Sequence, residues 1–304
     1  MAEVSTRKKA AAVGAILFAT MLWGTSFPVL KIALQAFTPL WFIGIRFFFA
    51  GLIMFFVCLP RLKKIDKSFL LDGLKLGLPV GFGYSAQTIG LLYTTAANNA
   101  FITATYVVMV PLLTWFTGKK VRGASFLIAG VTLAGLAVFS LSETMTVASG
   151  DIWTLACAVL FAVHIIILGR CSAIYDPLLL TMAQLFMISA VNLLLALFLE
   201  PLPAMADFTP TVVISLAYCI VFPSIICYLI QTWAQSILSP VTTSVLLMSE
   251  AVFGSIFGVL MLDESFGLRK LLGAAILLLC MTASVIMDSR PPKERTAAED
   301  PVPK

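Results

Sequence analysis

Tyr84-Ser85-Ala86-Gln87-Thr88 returns in the second half of the chain as Tyr228-Leu229-Ile230-Gln231-Thr232, with Tyr, Gln and Thr at the same spacing inside a long apolar run each time. Two further pairs follow in the same order. Gly130, in Ala129-Gly130-Val131, answers to Gly273, in Leu272-Gly273-Ala274, and Thr38-Pro39-Leu40 answers to Asp176-Pro177-Leu178. The three shifts are nearly the same, the Thr38 pair being slightly the shortest. Similar shifts in a consistent order mark one unit used twice.

The apolar runs give the size of that unit. Charges, prolines and glycines divide the chain into ten runs, at 11–34, 39–59, 69–93, 97–117, 123–142, 151–171, 178–199, 210–234, 240–261 and 270–287. Each approaches the length of about 20 residues that spans a bilayer as a helix. The fold expected is therefore an all-α integral membrane protein, its ten transmembrane helices arranged as two five-helix repeats. Five is odd, so the second repeat enters the membrane from the opposite side. Inverted repeats of this kind place a substrate site at the repeat interface near the midplane. The expected organisation is an N-terminal tail over 1–10, a first repeat over 11–142, a linker over 143–150, a second repeat over 151–287 and a polar tail over 288–304.

Composition excludes the alternatives to a membrane chain. Of 304 residues, 60% are hydrophobic and 12% charged, against about 45–50% and about 25% in soluble proteins. Too few charges remain to cover a soluble surface of this size. The net charge of +5 is no nucleic-acid signal, because the basic residues sit in short clusters between the runs. With the N-terminus inside, fifteen Lys and Arg fall on the cytoplasmic side, among them Arg7, Arg61, Lys64, Lys119 and Arg290. The other side holds three: Lys31, Arg269 and Lys270. That bias predicts cytoplasmic N- and C-termini, in the inner (plasma) membrane. The six cysteines all lie in or beside apolar runs and form no C-x-x-C pair, so they read as small apolar filler. The first run is too long for a signal-peptide core.

Ionisable groups inside spans are functional candidates by default. Glu250 lies about 16 Å into the ninth run and Arg46 about 10 Å from the same outer face, at 1.5 Å per residue. Either the two pair, or Glu250 stands alone as a proton-coupling group. His164, the single histidine, lies near the middle of the sixth run and corresponds to Ser26 by the shift of the Thr38–Asp176 pair. It is a proton relay, a substrate contact or an interhelical hydrogen-bonder. Gln87 and Gln231, with Tyr84, Tyr228 and Thr232, give each half a polar face suited to a zwitterionic or neutral solute, or to holding helices together. Asn98 and Asn99 open the fourth run and can cap it. Trp23, Phe82, Tyr106 and Trp233 are candidates for a cavity wall. Pro28, Pro79, Pro111 and Pro223 should kink or break their helices. Gly77, Gly81 and Gly83 should form one face for close helix approach. No G-x-x-x-x-G-K-[ST] or H-E-x-x-H occurs, so no cofactor and no metal is expected.

Trp23-Gly24-Thr25-Ser26-Phe27, Arg46-Phe47, Asn98-Asn99-Ala100-Phe101-Ile102 with Pro111, Ser249-Glu250-Ala251 and Asp263-Glu264 follow one another in this order, and a Gly-rich helix closes each half. This ordered set resembles the drug/metabolite transporter superfamily, in its ten-helix EamA-type branch, over residues 11–287. The family often has proline where this chain has Ala251, so no proline enforces a bend there. The resemblance implies two inverted five-helix halves around a central cavity bounded by helices 3, 4, 8 and 9 with 1 and 6. It implies substrates such as amino acids, nucleotide-linked metabolites, sugars, amines or drugs, and many members export.

The expected function is thus a secondary transporter of small organic metabolites, amino acids or related solutes, working by alternating access and most simply exporting. The partners expected are a small-molecule substrate, the lipid bilayer and a coupling proton or ion, with no nucleic acid. One chain holds both halves, so either a monomer or a homodimer serves. An importer with the same fold is the nearest rival. An intramembrane hydrolase using Ser26 and His164, or a non-transporting scaffold, are rivals of another class.

Overall fold

A computed structural model describes residues 6–94, 96–118, 121–140, 148–262 and 267–289. Asp263-Glu264, Lys119, Lys120, most of the expected linker and nearly all of the polar tail lie outside the described residues, as do the side chains of Phe27, Pro28, Lys31 and Asn98.

The described residues form thirteen α-helices, with no strand among them: α1 (Thr6–Ala33), α2 (Pro39–Cys58), α3 (Lys67–Leu92), α4 (Ala96–Ala104), α5 (Tyr106–Phe116), α6 (Gly123–Ser140), α7 (Ser149–Cys171), α8 (Pro177–Leu199), α9 (Pro210–Cys219), α10 (Cys227–Gln235), α11 (Pro240–Leu247), α12 (Ser249–Leu262) and α13 (Leu268–Ser289). They make ten rods, because α4–α5, α9–α10 and α11–α12 each continue a single path. Six are long and apolar enough to cross a membrane by length and composition. The distribution is inside-out relative to a soluble protein. Phe198 is 78% exposed and Leu127 70%, while Gln184 and Asn192 are fully buried. Outward apolar faces meet lipid and polar groups are kept for one another.

Packing exchanges the halves. α2 lies along α8, and α6 along α13. α1 packs on α10 and α12, as α7 packs on α3, α4 and α5. Small residues set the approach. Gly73, Gly77 and Gly81, one turn apart on α3, face Ala183, Met187 and Val191 of α8. Gly83 departs from the expected common face and meets Phe161 of α7. That follows from the 3.6-residue turn, which carries position 83 round to the next neighbour.

The α2–α8 seam is tied at both ends by the C-terminal end of one helix reaching the N-terminus of the other. At one end, Arg61 pairs with Asp176 at 3.2 Å, with Lys64 at 3.5 Å. Asp176 also caps α8 by accepting from the amide of Leu178. At the other end, both carboxylate oxygens of Glu200 accept amides of α2, from Leu40 at 2.9 Å and Trp41 at 3.0 Å. Beside the first tie, Tyr175 donates to Asp72 at 2.9 Å. That bond pushes the phenol up to about 12, so Tyr175 remains a donor throughout the neutral range.

The prolines do not behave as expected. Helix continues through Pro28, Pro79 and Pro111, and interruptions fall at Thr105 and Met248, where there is no proline. Hydroxyls bond back along the helix at both points, as those of Thr20, Thr25, Ser26 and Ser244 also do within unbroken helix. Thr105 Oγ1 donates to the carbonyl of Ile102 and Ser249 Oγ to that of Leu246, each three residues back. Amides follow suit, from Thr105 to Ile102 and from Met248 to Val245, so each rod tightens to 3-10 spacing. Thr105 and Ser249 are separated by the same shift as Tyr84 and Tyr228, so both halves break at one equivalent point. Pro223 alone disturbs its helix as expected, inside a π-helical turn over Ile220–Ile226. Pro79, its equivalent by that shift, leaves α3 helical. The next residue makes the difference: Ser224 donates its hydroxyl to the carbonyl of Cys219, five residues back, at 2.8 Å, whereas Val80 has no hydroxyl.

The closest backbone approach tests this packing. A Cβ on Gly150, at the start of α7, would lie 2.3 Å from the carbonyl oxygen of Gly90, whereas one on Gly130 meets nothing within 4 Å. Gly150→Ala should lower the melting temperature in detergent by several degrees, an overpacking cost of about 1–3 kcal/mol. Gly130→Ala should leave it unchanged or slightly raised.

Candidate functional site

The two repeated tyrosines meet. Tyr228 donates its hydroxyl to that of Tyr84 at 3.1 Å, joining α10 to α3 across the axis that relates the halves. Aromatic rings pack on both with the same exchange. Trp23 meets Tyr228 edge-on at 5.9 Å and Phe161 meets Tyr84 edge-on at 5.6 Å. Trp23 and Phe161 are themselves equivalent by the shift that relates Thr38 to Asp176. Phe47 of α2 touches both tyrosines, at 5.2 and 5.8 Å. Phe82 and Trp233, expected in the wall, face outward at 46% and 37% exposure. On α10 the polar Gln231, Thr232 and Gln235 take the buried side, which leaves Trp233 facing outward.

Arg46 lies beside this cluster, only 5% exposed. Its guanidinium sits 4.8 Å from the centre of the Phe47 ring, and Nε donates to Ser224 Oγ at 2.6 Å. The π turn supplies that acceptor. It also turns the carbonyl of Pro223 toward Trp23, whose Nε1 donates to it at 2.8 Å. Wide turns of this sort recur at functional sites. Ser224 is the residue that sequence reasoning missed; its place directly after Pro223, expected to disturb its helix, was the available signal.

Glu250 opens α12 just after the Ser249 break. Ser249 is tied to Thr20 of α1 at 2.7 Å, which fixes where the acid begins. Glu250 is close enough to Arg46, Tyr84, Tyr106, Tyr228 and Cys227 to interact with them electrostatically. It forms no ion pair with Arg46 within 4.0 Å and no hydrogen bond among the described residues. Of the two arrangements open to these groups, the structure has them near but unpaired. Tyr106, the equivalent of Glu250 in the first half, opens α5 after the equivalent break and is buried.

The other candidates are tied off. His164 Nε2 bonds Gln184 Oε1 at 2.7 Å, and Gln184 Nε2 bonds Thr232 at 3.1 Å, all three residues buried. Ser26 bonds its own helix at the carbonyl of Trp23. No hydrogen bond joins Ser26 to His164. Gln87 donates to Thr103, and Asn99 bridges the carbonyl of Gln87 and Thr154, joining α3, α4 and α7. Gln231 donates to Gln235, which donates to the carbonyl of Ile165. Asn98 lies on α4, its side chain outside the described residues. A depression of about 500 Å³ lined by Lys64, Phe69, Tyr175 and Asp176 among others shares no residue with the Arg46–Glu250 cluster.

The EamA-like transporter family model matches this chain twice, over residues 10–141 and 148–286. The chain belongs to the EamA-like transporter family. An uncharacterized transporter of Archaeoglobus fulgidus is 35% identical over 261 residues, covering 86% of this chain and 81% of that protein. The uncharacterized transporter YoaV of Bacillus subtilis is 24% identical over 274 residues, covering 87% and 92%. A crystal structure superposes with a TM-score of 0.74 at 16% identity, covering 92% of this chain and 98% of that one, a likeness of fold. This EamA chain is therefore a multi-pass membrane transporter and not an enzyme. Its ninth rod breaks at Met248, whose amide bonds the carbonyl of Val245, with Ser249 Oγ on that of Leu246.

His164 separates structural from transport roles. His164→Ala strips a buried amide of its partner and should cost about 1–3 kcal/mol, read as a lower melting temperature. The pH dependence of transport should not change, since His164 faces Gln184 and not Arg46 or Glu250.

Proposed function

We propose that this EamA protein is a secondary active transporter that exports small organic metabolites, amino acids or related solutes, by alternating access. The carrying observation is the Arg46–Glu250 arrangement. Arg46 is buried and Glu250 partly buried, within each other's field, and neither is spent on the other. An unpaired charge away from water is expensive, and it is kept where a ligand or a coupling ion supplies the missing partner. Glu250 follows a helix break and Arg46 is bonded to a wide turn of another helix, so a small shift of one half would change their surroundings.

In this reading the repeats over 11–142 and 151–287 rock about the Tyr84–Tyr228 contact. Glu250 is the coupling group, Arg46 holds the solute, and Trp23, Tyr84, Tyr106 and Tyr228 form the wall. The surplus of Lys and Arg on one side favours an inner-membrane location with both termini cytoplasmic. His164, Gln87, Gln231, Ser26 and Asn99 hold helices together.

The test is solute counterflow in proteoliposomes with labelled amino acids and nucleoside metabolites, with and without an imposed pH gradient. Saturable flux of one class, stimulated by the gradient, is the expected result. In Glu250→Gln the stimulation should disappear while counterflow persists at reduced rate. Folded protein that carries nothing in the panel overturns the reading and moves a scaffold role ahead.

A further inference from the structure

Arg46 has five N–H donors, and one of them is accounted for. Nε is held by Ser224, and the guanidinium carbon lies over the Phe47 ring. The two terminal nitrogens have no hydrogen-bond partner among the described residues, nor are they among the partnerless polar atoms that protein seals off. A buried side chain thus keeps its forked end open. Ser224 keeps it in place: its hydroxyl donates to Cys219 and accepts from Nε, so the π turn fixes the guanidinium through the nitrogen a ligand does not need. Four N–H donors are left on the two terminal nitrogens, and one from each points the same way, the geometry that grips a planar anion with two oxygens.

The surroundings select among anions. One guanidinium balances one negative charge. Glu250 lies within electrostatic reach, and the other polar groups near Arg46 are tyrosine hydroxyls and cysteine thiols, with no second cation among the described residues. A phosphate, carrying about −1.5 to −2, would leave excess negative charge in a low-dielectric interior beside an acid. A carboxylate leaves none when Glu250 holds a proton and one negative charge when it does not, in either case less than a phosphate. On these grounds, and resting on the transport reading above, we infer that the terminal nitrogens of Arg46 are the subsite for a carboxylate of the transported solute. Ser224 is the positioning residue that aims them. Solutes with an organic carboxylate are carried, and the same molecules with that group neutralised are rejected.

The experiment uses full-length protein in detergent and twenty L-amino acids, each paired with its carboxamide. The amide keeps the ammonium and the side chain and loses only the negative charge. Binding is read by thermal shift titration. At least one acid should bind, with its amide at least about tenfold weaker, as befits a lost charge-assisted pair. Arg46→Gln should bring the acid-to-amide ratio close to one. Ser224→Ala, which keeps the charge, should lower the ratio severalfold, and Ser224→Thr should restore it; loss of stability alone would move both ligands together. Amides binding as well as acids, or an undiminished ratio in Arg46→Gln, overturns the inference. So does a panel in which no acid binds. Counterflow with uncharged nucleosides then tells the two failures apart: flux of these keeps the transport reading and removes the carboxylate subsite, and its absence removes both.

Discussion

Hydrocarbon offers no hydrogen bond, so every polar group this chain carries into the membrane must find its partner within the protein. The interior follows from that constraint. His164 is closed by Gln184 and Thr232, Asn192 by Ser85 and the carbonyls of Gly81 and Ile188, and Gln235 by Ile165. Even helix ends comply, with Glu200 taking two amides of α2. Single neutral atoms escape the rule, on Thr38, Trp41, Ser172 and Thr243. Among the ionisable groups near Tyr84 and Tyr228, the open end of Arg46 and the unpaired carboxylate of Glu250 are conspicuous.

Much of this architecture was legible beforehand. Ten apolar runs and a repeat at a nearly constant shift are properties of composition and spacing, which lipid reads in the same way. Interior detail was less legible, for physical reasons. Phe82 and Trp233 point outward, Trp233 because Gln231, Thr232 and Gln235 take the buried side of α10. The breaks at Thr105 and Met248 accompany hydroxyls that bond three residues back, but Thr20, Thr25, Ser26 and Ser244 make the same bond in unbroken helix, so residue type did not mark them. Glutamine, asparagine and histidine serve equally as binding groups and as interhelical ties, and only the partner decides. Arg46 and Glu250 were visible as charges; that they stand near and unpaired depends on the π turn that draws Arg46 to Ser224.

The duplication explains the scaffold, and divergence explains the chemistry. At the place of Arg46 the second half has Gln184, spent on His164. At the place of Glu250 the first half has Tyr106. After Pro79 comes Val80 and after Pro223 comes Ser224, and only the latter widens its helix. Each half thus keeps the backbone plan and loses a different part of the polar set. The site exists only where the two are combined.

The contact between Tyr84 and Tyr228 carries a consequence of its own. These residues are equivalent in sequence and meet near the axis that exchanges the halves, yet a hydroxyl pair shares one proton at a time. Tyr228 spends its proton on Tyr84, and the proton of Tyr84 is left for a third party. Rotating two O–H bonds reverses the roles with no heavy atom displaced. Where the amino-acid sequence is most nearly symmetric, chemical symmetry has to fail. The molecule therefore carries at its centre a two-valued direction that its duplicated backbone does not have.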